Sequence, residues 1–270
     1  PDPTPTRDPD RIDRTRMSET TPRPKVLVKE KIAEAGVDLL RADFDVEVGV
    51  DWADGELEQR IGEFDAIVIR SATKMTPEMI ERGERLQVIG RAGTGVDNVD
   101  IEAATKRGIL VVNAPESNSV AAAEHTLALV LALVRNVPRA HSSLAAGEWK
   151  RSEFSGHELY GKTLGVIGFG RIGQLVAKRA QAFDMDVVGF DKFVAPERFR
   201  ELGVEPATTS DELYGRADVI TIHLPKTPET VNWIDAEAIA KMRDGVRIVN
   251  CARGELVDLE ALQAALDSGK

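Results

Sequence analysis

The sequence predicts an α/β protein built from two doubly wound parallel-sheet domains. Segments typical of strands and helices alternate from Lys25 to about residue 115, and a second alternating series begins at Lys162. Because such alternation forms βαβ units, both sheets are predicted to be mostly parallel. The second series also carries the pattern Gly168-x-Gly170-x-x-Gly173 between an apolar strand and a helix. At 270 residues, 42% of them hydrophobic, the chain is long enough for one large or two medium-sized domains.

The apolar pattern divides the first series into predicted strands and helices. Apolar, β-rich runs such as "KVLVKE" and "DAIVIRS" predict strands, whereas three- and four-residue apolar spacing, as in "IAEAGVDLLRA", predicts helices. One helix has clear limits, since Thr76 can cap it, Pro77 suits its first position and Gly83 lies near its end. The predicted strands are 25–30, 44–50, 65–71, 86–93 and 109–115, and the predicted helices are 32–42, 57–64, 76–83 and 101–107.

A long helix is predicted from Ser119 to Arg135. It has apolar residues on more than one face, which indicates burial between domains or between subunits. Residues 136–161 contain one proline and three glycines and are expected to be irregular. The crossing between domains is placed near 115–120. The predicted divisions are a disordered tail at 1–24, a first domain at 25–118 and a second domain at 119–270.

The second series repeats the alternation. Its last helix has a capping residue in Asp258 and a terminating residue in Gly269. A βα unit normally leads into another parallel strand, so the second sheet is expected to be incomplete at its C-terminal end. The predicted strands are 163–168, 186–191, 218–224 and 246–251, and the predicted helices are 171–183, 196–202, 210–215, 235–242 and 258–267.

Composition excludes several classes of function. The net charge of −10 argues against a binder of nucleic-acid phosphates. The longest apolar run, "TLALVLALV", is well short of the roughly 18 residues typical of a membrane span. The single cysteine, Cys251, cannot form an internal disulfide or a thiolate metal site, which favours a cytoplasmic location.

The first 24 residues differ from the rest of the chain. They hold six of the 13 prolines, and only Ile12 and Met17 are apolar. Such a segment cannot bury enough surface to fold, so it is predicted to be disordered. Met17 opens a stretch that looks like a natural start, which suggests that residues 1–16 lie upstream of the natural protein; an ordinary disordered tail is the alternative.

The glycine pattern predicts a site for a dinucleotide. Gly168 permits a tight turn, Gly170 lets the backbone approach a pyrophosphate, and Gly173 lets the helix pack closely on the strand. A second strand ends at Asp191, eighteen residues beyond the last glycine, where its carboxylate can accept hydrogen bonds from ribose hydroxyls. That carboxylate would repel a 2′-phosphate, so NAD is favoured over NADP, although the neighbouring Lys192 weakens the preference slightly.

Arginines at strand ends predict an anionic substrate. Arg253 follows the buried strand of residues 246–251, and its planar guanidinium suits a carboxylate. Arg70 and Arg91 also end strands, which suggests more than one negative charge on the substrate. Gly93 and Gly95 flank Thr94 in a loop whose N–H groups can form an anion nest. Lys150 and Arg151 can add to the cluster.

None of the four histidines is convincingly placed as a catalytic base. His125 lies in the long helix and suits packing, and His141 and His157 fall in irregular stretches without a nearby carboxylate. His223 ends a strand and is expected to face the nicotinamide side of the cofactor.

Residues 25–270 closely resemble the NAD-dependent D-2-hydroxyacid dehydrogenases. The resemblance is carried by the segments "IRSATK", "GRAGTGVDNVD", "VVNAPESNSVAAAEHTLAL", "WKRSEFSG", "GKTLGVIGFGRIG", "HLPKTPET" and "NCARGELVD". It implies a flavodoxin-like substrate-binding domain followed by a Rossmann NAD-binding domain, a homodimer or larger assembly built partly on the long helix, and no metal. It also implies that Arg253 is the catalytic arginine. The implied cofactor residues, besides the three glycines and His223, are Thr94, Arg171, Ile172, Asp191, Leu224, Cys251 and Ala252. The implied substrate residues are Arg70, Arg91 and Arg151, with Gly93 to Gly95 near the substrate carboxylate.

"RSAT" and "GRAGTGVDNVD" favour the branch of this family that oxidises 3-phosphoglycerate, the first step of serine synthesis. In the family, Arg253 works with a glutamate and a histidine that both follow position 270, so the sequence is expected to be a fragment, inactive or nearly so by itself. Two alternatives stay open. One is a sister enzyme acting on hydroxypyruvate or glyoxylate. The other is a non-catalytic NAD-binding protein, favoured if the natural chain ends at Lys270.

Overall fold

The computed structural model describes residues 22–270, which form two compact units. The first unit contains the described residues up to Ala92 together with Asn98–Asn113. The second contains Gly93–Asp97 and Ala114–Lys270. The tail predicted at residues 1–24 lies outside the described residues, apart from its last three positions. The limits 25–118 and 119–270 stay a prediction.

The first unit is a five-stranded parallel sheet with the strand order β2-β1-β3-β4-β5. This order is the flavodoxin-like arrangement of a doubly wound sheet, and it confirms the predicted fold class. The core consists of strand and helix residues that are almost fully buried, among them Leu27, Phe64, Ile67 and Ile80. The elements are β1 Lys25–Val28, α1 Glu34–Asp43, β2 Asp45–Val48, α2 Glu56–Arg60, β3 Ala66–Ile69, α3 Pro77–Arg82, β4 Val88–Arg91, α4 Ile101–Lys106 and β5 Leu110–Asn113.

Side-chain caps fix where two helices of this unit begin. The Thr76 hydroxyl accepts a hydrogen bond from the Met79 N–H at 3.3 Å, and Pro77 occupies the first helical position, as predicted for α3. The Asp100 carboxylate likewise accepts from the Ala103 N–H at 2.8 Å at the start of α4. Each cap satisfies an N–H that has no partner inside its helix.

The second unit is also a five-stranded parallel sheet, with the strand order β10-β9-β6-β7-β8. Counted within the unit, this is the Rossmann order, with β6 as its first strand at the centre. The elements are α5 Ser119–Val134, α6 Val137–Ala145, β6 Thr163–Ile167, α7 Arg171–Gln181, β7 Asp186–Phe190, α8 Pro196–Glu201, β8 Glu205–Pro206, α9 Ser210–Arg216, β9 Val219–Ile222, α10 Ala236–Lys241, β10 Arg247–Asn250 and α11 Leu259–Ser268.

Two features differ from the prediction. The stretch 136–161 is not irregular throughout, since it contains α6 and a 3-10 helix, Arg151–Phe154. Pro138 lies in the first turn of α6, where a missing N–H costs no hydrogen bond, so it does not prevent the helix. The sequence also gave no signal for β8, because its two residues are too few to show an apolar period; β8 pairs with β7 through Val188 and Glu205.

Helix α5 buries one face in the core of the second unit. Ala123, Leu127 and Val130 pack in one cluster with Val176 and Ala177 of α7. Other apolar residues of α5 remain exposed, among them Val120, Leu129 and Leu133. Within residues 22–270, no single helix is long and apolar enough to cross a membrane, and α5 and α6 meet that length only as a pair bent by 66°.

The last helix begins and ends where the sequence predicted. The Asp258 carboxylate accepts hydrogen bonds from the N–H groups of Glu260 and Ala261, at 3.0 and 3.1 Å. Gly269 adopts φ 78°, the left-handed conformation that commonly ends a helix.

Close packing of β6 on α9 predicts the effect of a small substitution. A Cβ added at Gly165 would lie 2.5 Å from Leu213 Cδ2 and 3.0 Å from Ala217 Cβ. We therefore expect Gly165→Ala to lower the free energy of unfolding by about 1–3 kcal/mol, because the sheet and helix must move apart. Gly215→Ala is the matched control, since a Cβ at Gly215 of α9 meets nothing within 4 Å. Urea unfolding followed by circular dichroism measures both; equal stability of the two variants would contradict the packing argument.

Candidate functional site

The parallel strands of the second unit bring the predicted cofactor residues to one edge of the sheet. Ile167 at the end of β6 pairs with Ile222 of β9, which in turn pairs with Asn250 of β10. The segments that follow these strands therefore leave the sheet side by side. They carry the glycine loop 168–173, then His223 and Leu224, then Cys251, Ala252 and Arg253. In doubly wound sheets this edge is where ligands bind.

The glycine loop is held tightly on two sides and open on a third. Gly168 has φ 89°, and a Cβ there would lie 2.7 Å from the His223 carbonyl carbon. A Cβ at Gly173 would overlap the Gly168 carbonyl oxygen. By contrast, a Cβ at Gly170, which precedes the first residue of α7, would meet nothing within 4 Å. This open approach to the N-terminus of an eleven-residue helix fits a pyrophosphate group.

Asp191 lies against the glycine loop. Its Oδ2 accepts a hydrogen bond from the Phe169 N–H at 2.8 Å, and its Oδ1 accepts from the Phe193 N–H at 2.8 Å. Each carboxylate oxygen can accept more than one hydrogen bond, so both keep capacity for ribose hydroxyls. The ammonium of Lys192 lies 4.9 Å from the centre of the Trp233 ring, an attractive cation–π contact. Lys192 is therefore engaged by an aromatic ring.

His223 is a partly buried, neutral histidine. Its Nε2 lies 3.0 Å from the Thr221 hydroxyl. Desolvation lowers the pKa of His223 to about 4, because burial penalises the charged imidazolium. The imidazole is therefore neutral near pH 7, and its ring nitrogen can share the Thr221 hydroxyl proton.

The turn that carries Arg253 is fixed by Asn250, a residue that the sequence analysis did not single out. The Asn250 Oδ1 accepts from the Ala252 N–H at 2.9 Å, and its Nδ2 donates to the Arg253 carbonyl at 2.6 Å. Cys251 and Ala252 are partly buried and pack against the two apolar clusters of the second unit. An asparagine that bonds its own backbone two residues on is a turn signal that could have been found from the sequence.

Arg253 forms an ion pair with Asp97, a second residue that the sequence analysis missed. Arg253 Nε donates to Asp97 Oδ2 at 3.0 Å, and Nη2 donates to Asp97 Oδ1 at 2.7 Å. Hydrogen bonding to the Asp97 carboxylate raises the pKa of Arg253, so the guanidinium stays charged. A Cβ added at Gly95 would overlap Nη2 of Arg253. The structure thus brings Gly95, Asp97 and Arg253 of the second unit together.

In the first unit, the loop that carries Arg70 is held from both sides. The Glu30 carboxylate accepts from the N–H groups of Arg70, Ala72 and Thr73 at 2.8, 3.2 and 2.9 Å. The Asn98 side chain donates to the carbonyls of Arg70 and Thr73 at 2.7 and 2.6 Å. Desolvation acts to raise the pKa of Glu30, but these backbone hydrogen bonds outweigh it and leave the pKa lowered. Neither Glu30 nor Asn98 was predicted from the sequence.

The remaining predicted residues fall into two groups. Arg70 and Arg91 both lie at the carboxyl edge of the first sheet, since Arg70 follows Ile69, which pairs with Arg91 in the strand register. The Thr94 hydroxyl donates to Asn118 Oδ1 at 2.6 Å in the second unit, while exposed Arg171 lies 3.5 Å from Glu116. The other members of this second group are Gly93, Arg151 and Ile172. Arg151 is exposed at the start of the 3-10 helix Arg151–Phe154.

Comparison with known proteins identifies relatives of both units. Residues 127–270 match the family described as D-isomer specific 2-hydroxyacid dehydrogenase, NAD binding domain. A D-3-phosphoglycerate dehydrogenase of Methanocaldococcus jannaschii is 50% identical over 246 residues, which are 91% of this chain and 47% of that protein. The chain spans about half the length of the curated relatives it matches.

Solved structures of dehydrogenases and reductases also superpose on most of this chain. A glyoxylate reductase from Paecilomyes thermophila superposes with a TM-score of 0.84 at 30% identity, covering 92% of this chain and 79% of that one. A D-lactate dehydrogenase from Aquifex aeolicus, in complex with NAD and lactic acid, gives a TM-score of 0.80 at 33% identity, covering 91% and 74%.

The lowered pKa of His223 predicts a pH dependence of stability. The folded chain takes up the His223 proton only near pH 4, whereas the unfolded chain takes it up near 6.5. The contribution of His223 to the free energy of unfolding is therefore complete above pH 6.5. It is lost as the pH falls towards 4, by at most about 1.4 kcal/mol per pH unit. We expect His223→Asn to flatten the fall in unfolding free energy between pH 7 and 5. His141→Asn, at an exposed position of α6, should keep the wild-type slope in urea unfolding. A wild-type slope in both variants would show that His223 does not carry the effect.

Proposed function

Because this chain belongs to the D-isomer specific 2-hydroxyacid dehydrogenase family, we propose that it provides the NAD site and the substrate-binding arginines of a D-2-hydroxyacid dehydrogenase. The observation that carries this proposal is the position of Arg253. Arg253 follows β10, which pairs with β9, and its guanidinium lies against the backbone of Gly95. A charged guanidinium at this edge of the sheet suits the carboxylate of a hydroxy acid.

The residues around the edge take different parts in the proposed reaction. The glycine loop and the N-terminus of α7 hold the pyrophosphate, and Asp191 accepts hydrogen bonds from the ribose. Bound there, NAD would supply the acceptor for the hydride at C2 of the hydroxy acid. Arg253 holds the substrate carboxylate, so that C2 keeps a fixed orientation while its bond to hydrogen breaks.

The proton of the substrate hydroxyl needs a separate base. Among the described residues, none of the four histidines forms a hydrogen bond with Arg253, and the Nε2 of His223 lies against the Thr221 hydroxyl. We propose that the glutamate and histidine implied by the family resemblance supply this step in the natural protein. Kinetic experiments therefore belong on the natural protein that contains these residues.

We propose 3-phosphoglycerate as the substrate. Curated relatives at 46–51% identity bear the name D-3-phosphoglycerate dehydrogenase. Arg70 and Arg91 support the choice, because they place two cations at the carboxyl edge of the first sheet, and a guanidinium binds phosphate oxygens well. The reaction would form 3-phosphohydroxypyruvate and would be the first step of serine synthesis.

A reductase of glyoxylate or hydroxypyruvate is the second candidate. The superposition on a glyoxylate reductase at a TM-score of 0.84 favours it. Such an enzyme acts on a substrate without phosphate, so it would depend little on Arg70 and Arg91.

We also propose a homodimer or larger assembly in the cytoplasm. Exposed apolar residues of α5 and α6 support the assembly, since a second copy could cover them. They are Val120, Leu129, Leu133, Val137 and Leu144. The single cysteine, Cys251, supports a reducing compartment.

Substitution of Arg70 separates the two substrates. We expect Arg70→Ala to raise the KM for 3-phosphoglycerate about tenfold or more, because one charged hydrogen bond to the phosphate is lost. Oxidation of D-glycerate, which has the carboxylate but no phosphate, should change little. Arg82→Ala, which removes a cation from the end of α3, should leave both values unchanged. An unchanged KM for 3-phosphoglycerate in Arg70→Ala would exclude this substrate assignment.

Asp191 is expected to set the preference for NAD. Asp191→Ala removes the carboxylate that repels a 2′-phosphate, so the ratio of the Kd values for NADPH and NADH should fall about tenfold. Titrations followed by cofactor fluorescence measure both constants on this chain without turnover. Asp186→Ala, at the exposed start of β7, is the matched control. If Asp191→Ala discriminates as the wild type does, Asp191 has no part in the preference.

A further inference from the structure

We propose that Asp97 is the positioning residue for Arg253: it holds one edge of the guanidinium so that the other edge faces the substrate carboxylate. This role rests on the proposed function, in which Arg253 binds that carboxylate. Neither the glycine pattern nor the strand-end arginines point to Asp97, and its side chain meets Arg253 across 156 positions of sequence.

The geometry of the pair is side-on. Nε and Nη2 of Arg253 donate to separate oxygens of Asp97, at 3.0 and 2.7 Å, so the carboxylate and the guanidinium are joined by two parallel hydrogen bonds. A pair of this kind fixes the plane of the guanidinium as well as its position. The side chains are 34% and 30% exposed, so the contact is only partly screened by water.

The side-on pair leaves the Nη1–Nη2 edge of the guanidinium for a ligand. A guanidinium can bind a carboxylate along the Nε–Nη2 edge or along the Nη1–Nη2 edge. Asp97 takes the first edge, and Nη1 also donates to the Ala252 carbonyl at 3.0 Å. Each Nη carries two hydrogens, so both keep one for a second acceptor. The substrate carboxylate is therefore received on the Nη1–Nη2 edge.

The backbone on both sides keeps this arrangement in place. Gly95 lies so close to Nη2 that a Cβ would overlap it, which prevents the guanidinium from moving towards the loop. Asn250 forms hydrogen bonds with the main chain at Ala252 and Arg253, which fixes the backbone from which the Arg253 side chain extends. Asp97 adds the two hydrogen bonds at Nε and Nη2, beside the bond from Nη1 to the Ala252 carbonyl, and these hold the charged end.

A neighbouring carboxylate provides a comparison. Glu255 lies two residues after Arg253 and raises the pKa of Arg253 through its charge, but Asp97 is the stronger influence because it forms the hydrogen bonds. Glu255 itself pairs with Lys226 at 2.5 Å. Removing Glu255 therefore takes one negative charge from the surroundings of Arg253 without removing a hydrogen bond from its guanidinium.

The test measures kcat and KM separately in the natural protein. Asp97→Asn removes one of the two hydrogen bonds and the charge. Loss of the charge favours anion binding while loss of the fixed plane opposes it, so we expect KM for the hydroxy acid to change by less than about threefold. The reacting carbon loses its orientation, so kcat should fall about 10- to 100-fold. Asp97→Glu, which restores a carboxylate, should recover part of kcat, and Glu255→Gln should keep both constants near wild type.

A chemical measurement tests the pair without turnover. Phenylglyoxal modifies arginine, and the rate at Arg253 can be followed by peptide mass spectrometry. We expect Asp97→Asn to increase this rate severalfold and Glu255→Gln to leave it unchanged. If the natural protein oxidises no D-2-hydroxy acid, the proposed function fails, whereas the modification rates still decide whether Asp97 holds Arg253.

Three outcomes would overturn the inference. The first is an unchanged kcat in Asp97→Asn. The second is a KM for the hydroxy acid that falls far more than threefold, which would make Asp97 a competitor of the substrate. The third is an unchanged modification rate at Arg253. A thermal melt shows whether Asp97→Asn is folded, and Asp97→Glu carries the comparison if it is not.

Discussion

The close approach of β6 to the helices on its two faces is the constraint on which the second unit depends. On one side, Gly165 leaves room for Leu213 of α9, and on the other, Gly173 lets α7 begin against the Gly168 carbonyl. Larger side chains at these positions would push the helices away from the sheet. Because β7 and β9 pair with β6 on either edge, its position also decides where Asp191, His223 and, through β10, Arg253 leave the sheet.

Both units use internal carboxylates to organise loops at the edges of their sheets. Asp191 accepts hydrogen bonds from N–H groups on either side of it, and Glu30 accepts three from the loop that carries Arg70. Loop N–H groups without such a partner would turn to water or to other conformations. A carboxylate fixes the loop because its bonds to N–H groups are stronger than neutral ones. The loops that are proposed to meet ligands are therefore ordered by the protein's own anions.

Local pattern predicted most of the fold, and distance along the chain explains what it did not predict. Strands such as β3 and helices such as α3 and α11 follow from apolar spacing and caps, which involve residues only a few positions apart. The strand β8 is too short to show a period, and α6 was missed because Pro138 was read as a helix breaker. The cofactor edge could be predicted from one segment with a known arrangement. Glu30, 40 residues from Arg70, and Asp97 could not, since each is defined by a partner far away in the sequence.

The pairing with Asp97 also explains why an arginine, and not a lysine, stands at position 253. A lysine ammonium is a point charge, which can attract two carboxylates but cannot hold one in order to orient the other. The guanidinium has two separate edges in one plane, so the hydrogen bonds on the Asp97 edge determine the direction of the substrate edge. Its direction is therefore set by the loop that runs from Gly93 to Asp97, although the strand before Arg253 determines where its backbone lies. Held in this way by Asp97, the guanidinium of Arg253 presents its Nη1–Nη2 edge to the α-hydroxy carboxylate in one orientation.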